Sequence, residues 1–598
     1  MKKWEILNEL RIKNHELRIE DLVKNLLENR GIKTKKETDE FLNPSLESLT
    51  SDNLSIDKKE LSRAIKRIKK AIEEKELIII FGDYDCDGVS GTAILWETLN
   101  SLGAKVMPYI PDRIEEGYGL SKKGIENLKI KYEKASLIIT VDNGIVANNP
   151  VEFANSLGID VVITDHHVPG KKLPDAFAIV HSTKICGAAV AWFLSQCLLR
   201  GPASRFPPAS APRRLTRVRA VGSPSSPVTP RNYDHLGLVA LATVTDMMQL
   251  TGFNRTLVKL GLEQIRKTKR PGLLSLFKLA EIDQSQIGVY ELGHIIGPRI
   301  NAMGRLEHAM DSLRLLCTTN LARAEDLAKK LNSTNLERQQ LTIDSFLHAK
   351  ELVGKSKKKL LFVSHEIYEP GVIGLIAGKL SEEFYRPSIV VSIREIYSKA
   401  SARSVSGFNI IEFIRLSSSL LVDVGGHPGA AGFTIETKKI SQLKKLLESL
   451  AEKNITEDLL IRKLKIDCEL SLELINQELF EALNKLAPFG YGNPEPVFLA
   501  RNVVIEEMRL VGKDGRHLKL KIKNNISNLV FDAILFGYDN NLNLKIGDVV
   551  DVVYTIFQNE WLARRPVRQS FSVGGSLGEG GNGNKKLELK IKDIERIS

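Results

Sequence analysis

The sequence predicts an α/β protein of several domains: a parallel sheet first, a second α/β unit after it, and a small β-barrel at the C-terminal end. Three observations carry this. Between residues 77 and 165, short apolar runs without helical period alternate with helix-forming segments, the pattern of buried parallel strands and their crossover helices. The alternation restarts near Lys357, after a long, charged helical stretch. From about residue 466 the runs become short alternating strands such as HLKLKI and DVVDVVYTI, which suit a small barrel.

The first strand, from Leu77 to Gly82, breaks into three aspartates at alternate positions, Asp83, Asp85 and Asp87. In open α/β sheets the carboxyl ends of strands form the ligand crevice, and carboxylates crowded there repel one another unless a cation neutralises them. Gly88 and Gly91 are expected to turn the chain into a helix beginning near Thr92. Two further apolar runs end alike: Ala135 to Val141 runs into Asp142 and Asn143, and Ile159 to Thr164 into Asp165, His166 and His167. Right-handed crossovers place these ends side by side. A single aspartate after a strand is as well explained by helix capping; three coincident strand ends point to a hard divalent metal. Oxygen ligands suit magnesium or manganese, and an imidazole shifts the preference toward manganese.

The formal charge of +12 over 598 residues, with 43% hydrophobic and 26% charged residues, fits several soluble domains and a polyanionic partner. Five scattered cysteines without CxxC spacing argue against a disulfide framework or a zinc ribbon and fit a reducing cytoplasm. No run approaches the roughly 18 apolar residues of a spanning helix, and MKKWEILNEL lacks the apolar centre of a signal peptide, so no membrane partner is expected.

Taken in order, residues 1–57 read as helical packing material and Lys58 to Lys75 as a charged amphipathic helix. After Val106 to Ile110, a second strand, Arg113 sits in a loop beside Gly117 and Gly119, where a guanidinium could grip a phosphate or pair with Glu115 or Glu116. Gly187 to Leu199 is a small, apolar helix. From Arg200 to Arg231 there is no acid and no lysine, only Pro, Ser and Arg in excess, a composition expected to be a disordered insertion. LGLVALATVTD then leads to Asp246. IGPRINAMGRL places Arg299, Asn301 and Arg305 in a loop entering a helix, and Leu321 to Leu352, with LNSTNLERQQLT, reads as a connecting helix. In the second unit, SARS at Ser401 to Ser404 precedes GGH at Gly425 to His427. Residues 562–584 interrupt the last hairpin with a glycine-rich stretch read as a second flexible insertion.

DYDCDG, VDNG, TDHH and VTD, in that order, resemble the motifs of the DHH phosphoesterase superfamily, and their spacing resembles the RecJ-type single-stranded-DNA exonucleases. The resemblance implies a DHH catalytic domain over 58–315 and a connecting helix over 316–354. It further implies a DHH-associated domain over 355–455, across a cleft from the first, and an OB-like nucleic-acid-binding domain over 465–598. It implies two divalent cations, Mn2+ or Mg2+. Asp85 and Asp142 would hold the first, with Asp83 near it; Asp87, Asp142, His166 and Asp246 would hold the second, with Asp142 bridging. His167 would lie behind the ligands or touch phosphate, and Asp165 would orient an imidazole. Ser401, Arg403 and His427 would hold DNA phosphates, the terminal 5′ phosphate being one candidate, and Arg113, Arg299, Asn301 and Arg305 are further candidates for substrate contact.

The activity so implied is 5′-to-3′ hydrolysis of single-stranded DNA in repair and recombination, with a helicase or single-strand-binding protein as a candidate partner. Two other readings stay open: another DHH phosphodiesterase acting on oligonucleotides, cyclic dinucleotides or pyrophosphate, and a non-catalytic DNA-binding scaffold if the insertions disable the site.

Overall fold

Ile78, Ile79, Ile80 and Phe81 are fully buried, as a strand covered by helices on both faces requires. In the computed structural model, Leu77–Gly82 lies within a five-stranded, wholly parallel sheet in the order Lys105–Tyr109, Leu77–Gly82, Ala135–Val141, Asp160–Asp165, Ala178–His181. The register pairs Gly82 with Val141 and Val141 with Thr164, so the acids that follow each strand emerge side by side. The structure describes residues 2–8, 11–12, 18–113, 115–200, 235–512, 515–524, 529–538, 542–558 and 586–597. Apart from Arg200, which ends the Gly187–Arg200 helix, the expected insertions at 200–231 and 562–584 lie outside the described residues.

The chain divides into two units. One comprises residues 43–460 with 490–492; the other comprises 1–42, 461–489 and 493–598. In the first, the parallel sheet is followed by the connecting helix, Leu321–Val353, and a second, mixed sheet. That sheet runs Leu421–His427, Ala430–Glu436, Tyr397–Arg403, Ser388–Ser392, Leu361–His365, with its last pair parallel and the rest antiparallel. In the other unit, Phe498–Val511, His517–Asn524, Val530–Phe536, Leu587–Arg596 and Val549–Gln558 pair in a ring, each strand bonded to two neighbours, which closes a five-stranded barrel without edges.

Three local expectations are corrected. The helix after the first strand begins at Cys86, not near Thr92, because its free N–H groups find acceptors at once: Asp85 caps Asp87 and Gly88, and Asn301 Oδ1 accepts from Cys86 N–H at 2.7 Å. Gly88 and Gly91 therefore sit inside the helix and serve close packing. A Cβ on Gly88 would stand 2.6 Å from the Asp83 backbone oxygen, and one on Gly91 2.6 Å from Val141 Cγ1. Arg299, Asn301 and Arg305 lie within a helix, Gly297–Leu306, rather than in a loop before it.

The N-terminal region is not helical throughout either. Lys3–Ile6 pairs in parallel with Lys463–Ile466, and Arg11–Ile12 with Glu469–Leu470. Leu22, Leu26 and Leu27 share a core with Leu479 and Leu483. These residues complete the barrel unit, a pairing across more than four hundred residues that no local pattern announces.

Asp246 follows His235–Thr245, a helix whose leucines and Val239 are buried and which packs against the aspartate helix Cys86–Ser101. Its first turn is tied down in the core. His235 Nε2 lies 2.9 Å from Glu97 Oε2, and Arg270 grips the same carboxylate through both terminal nitrogens at 2.7 and 2.8 Å. Glu97→Ala would remove the buried carboxylate that Arg270 and His235 share, at a cost of about 3–5 kcal/mol. A clear fall in the thermal unfolding midpoint of the variant is expected, and an unchanged midpoint would show that this network does not hold the helix.

Candidate metal centre and nucleic-acid interface

Asp85 and Asp87 are aimed by backbone donors, and Asp142 by its left-handed backbone. Asp87, 1% exposed, accepts from the N–H groups of Gly187 and Ala188, both at 2.7 Å, so the free donors opening the Gly187–Arg200 helix fix its carboxylate. Asp85 accepts from Asp87 and Gly88 N–H as the cap of its own helix. Asp142 sits at φ 63°, the left-handed region that aspartate tolerates better than most residues. Its neighbour Asn143 ties three segments together, donating to the carbonyls of Phe81 and Val141 and accepting from Leu120 N–H. Asp246, just beyond the His235 helix, completes the set.

The side chains then converge. Ligand atoms of Asp83, Asp85 and Asp142 lie within 4.8 Å of one another; so do those of Asp87, His166 and Asp246, and those of Asp142, His166 and His167. His166 Nε2 is 3.1 Å from Asp142 Oδ1 and 3.7 Å from both Asp87 Oδ2 and Asp246 Oδ2. The 3.1 Å approach lacks hydrogen-bonding geometry, and Asp142 Oδ1, like Asp83 Oδ1, is buried without a hydrogen-bond partner among the described residues. Groups that face each other with lone pairs suit a shared cation.

The electrostatics agree. Burial first and neighbouring acids second raise the affinity of Asp83, Asp85 and Asp142 for protons, and push Asp246 up to about 9. Burial lowers the basicity of His166, favouring the neutral imidazole that ligates metal. The donor set, carboxylate oxygens with one or two imidazoles, therefore fits hard divalent cations, with Asp142 in two of the three ligand groups and His166 Nε2 beside it linking to Asp87 and Asp246.

His167 differs. Burial opposes its charge, but a hydrogen bond to Asp165, with Nδ1 at 2.8 Å from Oδ1, and the surrounding carboxylates raise it to about 9. Asp165 is itself held by N–H donors from Ile145, His166 and His167. The other nitrogen, His167 Nε2, is 3.0 Å from the Tyr118 hydroxyl. His167 is thus fixed in one orientation at the edge of the cluster.

The remaining candidates separate into groups. Arg113 lies over the Tyr84 ring, 5.0 Å from its centroid, while Glu116 engages Tyr109 and Asn127 instead. Arg305 donates to Gly371 O, and its charge faces Arg113, Arg338 and Arg403 as well as Asp85; burial first and these like charges second bring its pKa down to about 10. Arg403 donates to Ser401 Oγ at 3.3 Å, and both line the space above Gly374, where a Cβ would be 3.1 Å from each. Among the described residues, none of Arg113, Arg305 and Arg403 pairs with a carboxylate. Asn301 spends its side-chain oxygen on Cys86 N–H, and so positions the aspartate helix rather than a ligand. Arg299 is held by Asn332 and the Ile295 carbonyl. His427 is exposed at the end of its strand, with no contact to the acids among the described residues. Sequence reasoning missed Gly187, Ala188, Asn143 and Tyr118, whose roles depend on backbone donors and on contacts between distant segments.

Comparison with known proteins agrees with this geometry. The DHH family, N-terminal domain, matches residues 77–211; the DHHA1 domain matches 357–453; the RecJ OB domain matches 466–570. The single-stranded-DNA-specific exonuclease RecJ of Bacillus subtilis is 35% identical over 609 residues, covering 99% of this chain and 70% of the relative. That of Escherichia coli is 31% identical over 531 residues, covering 85% and 89%. The crystal structure of RecJ from Thermus thermophilus in complex with Mn2+ superposes with a TM-score of 0.77 at 27% identity, over 100% of this chain and 80% of that one; its Mg2+ complex gives 0.72.

Close packing against Asp142 supplies a test that leaves every ligand in place. A Cβ on Gly187 would fall 2.6 Å from Asp142 Cβ and 2.7 Å from its Oδ1. Gly187→Ala is therefore expected to weaken manganese binding, measured by titration calorimetry, by about tenfold or more, with the circular dichroism spectrum unchanged. Unaltered affinity would mean that Asp142 is not a ligand.

Proposed function

The chain belongs to the RecJ family of single-stranded-DNA-specific exonucleases, and from that premise we propose that it removes nucleotides from the 5′ end of single-stranded DNA, working 5′ to 3′. The observation that carries the reading is the convergence of Asp83, Asp85 and Asp142, and of Asp142, His166 and His167, at the ends of adjacent parallel strands, with Asp87 and Asp246 grouped around the same His166. The divalent cations of this family, manganese or magnesium, would be held by Asp83, Asp85 and Asp142 on one side and by Asp87, Asp142, His166 and Asp246 on the other. When bound, they supply charge neutralisation and Lewis acidity for in-line phosphodiester hydrolysis.

The protein's own groups do the rest. The N–H donors at Gly187, Ala188, Asp87 and Gly88 hold the acids still, so little reorganisation accompanies the reaction. His167, held in one orientation by Asp165, stands at the edge of the acid cluster as a hydrogen-bonding group for the phosphoryl oxygens. Arg113, Arg305, Ser401 and Arg403 form a cationic pocket without acidic partners among the described residues, near enough to the acids for Arg305 to feel Asp85. A terminal phosphate, with up to two charges, suits such a pocket better than an internucleotide phosphate with one, and this supports cutting from the 5′ end.

The barrel unit is of the type that binds single strands through backbone and stacking contacts. A place in repair and recombination, in the cytoplasm and beside a helicase or a single-strand-binding protein, is part of the same proposal. Among the described residues no helix is long and apolar enough to cross a membrane.

Digestion of 5′-labelled single strand and duplex in manganese tests the activity. Release of label from the single strand, lowered more than about a hundredfold by Asp142→Ala, is expected; equal digestion of duplex would refute it. For polarity, Arg403→Gln should slow hydrolysis of a 5′-phosphorylated strand by about ten- to a hundredfold, the worth of a charged hydrogen bond, and close its difference from a 5′-hydroxyl strand. An undiminished preference for the phosphate would remove Arg403 from the pocket.

A further inference from the structure

The connecting helix carries a polar face that the acid cluster does not use. Asn332, Asn335 and Arg338 recur at intervals of three along Leu321–Val353 and so share one side of the helix. Asn332 Oδ1 receives Arg299 Nε from the Gly297–Leu306 helix at 3.0 Å, which places Arg299 against the same side. Asn335 is 1% exposed, yet its Nδ2 has no acceptor among the described residues. Arg338 donates from Nη2 to Asn335 Oδ1 at 2.8 Å, but its Nε is shielded from solvent and likewise lacks an acceptor.

Buried donors without acceptors are costly and rare, and two on adjacent turns are not explained by packing. Nor is there a counter-charge: among the described residues no carboxylate pairs with Arg299, Arg305 or Arg338. Electrostatic neighbours instead link Asp85 to Arg305, Arg305 to Arg338, and Arg338 to Arg299, a row of cations with the acid cluster at one end. Guanidiniums gathered around unsatisfied amide donors, with no acid among them, are a site for an anion.

We propose that Asn335 and Arg338 of the connecting helix, with Arg299 beside them, bind an internucleotide phosphate of the single strand, as a site separate from the pocket for the 5′ end. The inference rests on the exonuclease reading above and names residues of the strand's path that this reading does not need. The ligand is a phosphodiester carrying one negative charge; Arg338 and Arg299 supply the opposing charge and the Asn335 amide a neutral donor. The site touches no reacting atom, so its loss falls on KM and on the number of nucleotides removed per encounter, leaving kcat in place.

The test uses the full chain in EDTA, so that the strand is bound and not cut, and fluorescence anisotropy with oligothymidylates carrying one neutral methylphosphonate linkage at a time. In the unsubstituted protein, neutralising one linkage beyond the first is expected to weaken binding about tenfold. Arg338→Gln should weaken binding of the all-phosphate strand by a similar factor, lose sensitivity to that one linkage, and lower the slope of log affinity against log salt by about 0.7, the share of one single-strand phosphate. Arg338→Lys should recover the slope. If Arg338→Gln stays as sensitive as the unsubstituted protein at every linkage, the proposal is overturned. Should that variant not fold, Asn335→Ser decides on the same readout. Failure of the unsubstituted protein to bind or cut single strands, with manganese binding intact, would instead overturn the exonuclease reading and this site with it.

Discussion

The fold depends at one point on forcing carboxylates together against their repulsion. Asp83, Asp87 and Asp142 are all but fully buried, and Asp85 and Asp246 are close by, at the ends of packed strands and helices. Adjacent parallel strands in register fix where Asp83 and Asp142 emerge, and the packed His235–Thr245 helix fixes Asp246. Such an arrangement is unfavourable for an empty protein and favourable for one that binds cations, since the interaction that destabilises the bare cluster is the one that divalent ions reverse.

Much of the surrounding structure can be read as what keeps this cluster in place. Gly88, Gly91 and Gly187 lack a Cβ because backbone and the acids themselves occupy the space. Asn143 and Asn301, neither of them a ligand, bind backbone groups of the strands and of the aspartate helix. The Glu97, Arg270 and His235 network does the same for the helix that carries Asp246, from its opposite end. The arginines lie on the other side of the balance: a crowd of acids beside arginines that pair with no carboxylate among the described residues, a separation of charge that a metal–phosphate complex can bridge.

The strand ends were legible in the sequence because a parallel strand is a bare apolar run and each run stops at a ligand-type residue; the acids that follow the strands and both histidines could be named from that, whereas Asp246, which follows a helix, was named from the resemblance of VTD to a family motif. The start of the aspartate helix was not legible, because its first N–H is satisfied by Asn301, more than two hundred residues away. Gly88 and Gly91 suggest a turn to anyone reading locally, and only the neighbouring backbone shows them to be helix-packing positions. The N-terminal strands were hidden for the same reason, since Lys3–Ile6 becomes a strand through its partner at Lys463–Ile466. LNSTNLERQQLT reads only as part of a connecting helix until Asn335 and Arg338 are seen to hold buried donors without acceptors among the described residues.

The central claim is that Asp142 joins two cation sites into one. Electron paramagnetic resonance of the protein titrated with manganese tests it most directly, because two ions bridged by a carboxylate couple their spins. The account predicts that two equivalents bind and give the broadened multiline spectrum of a coupled pair. Saturation at one equivalent, or the simple six-line signal of isolated ions at two, would contradict it.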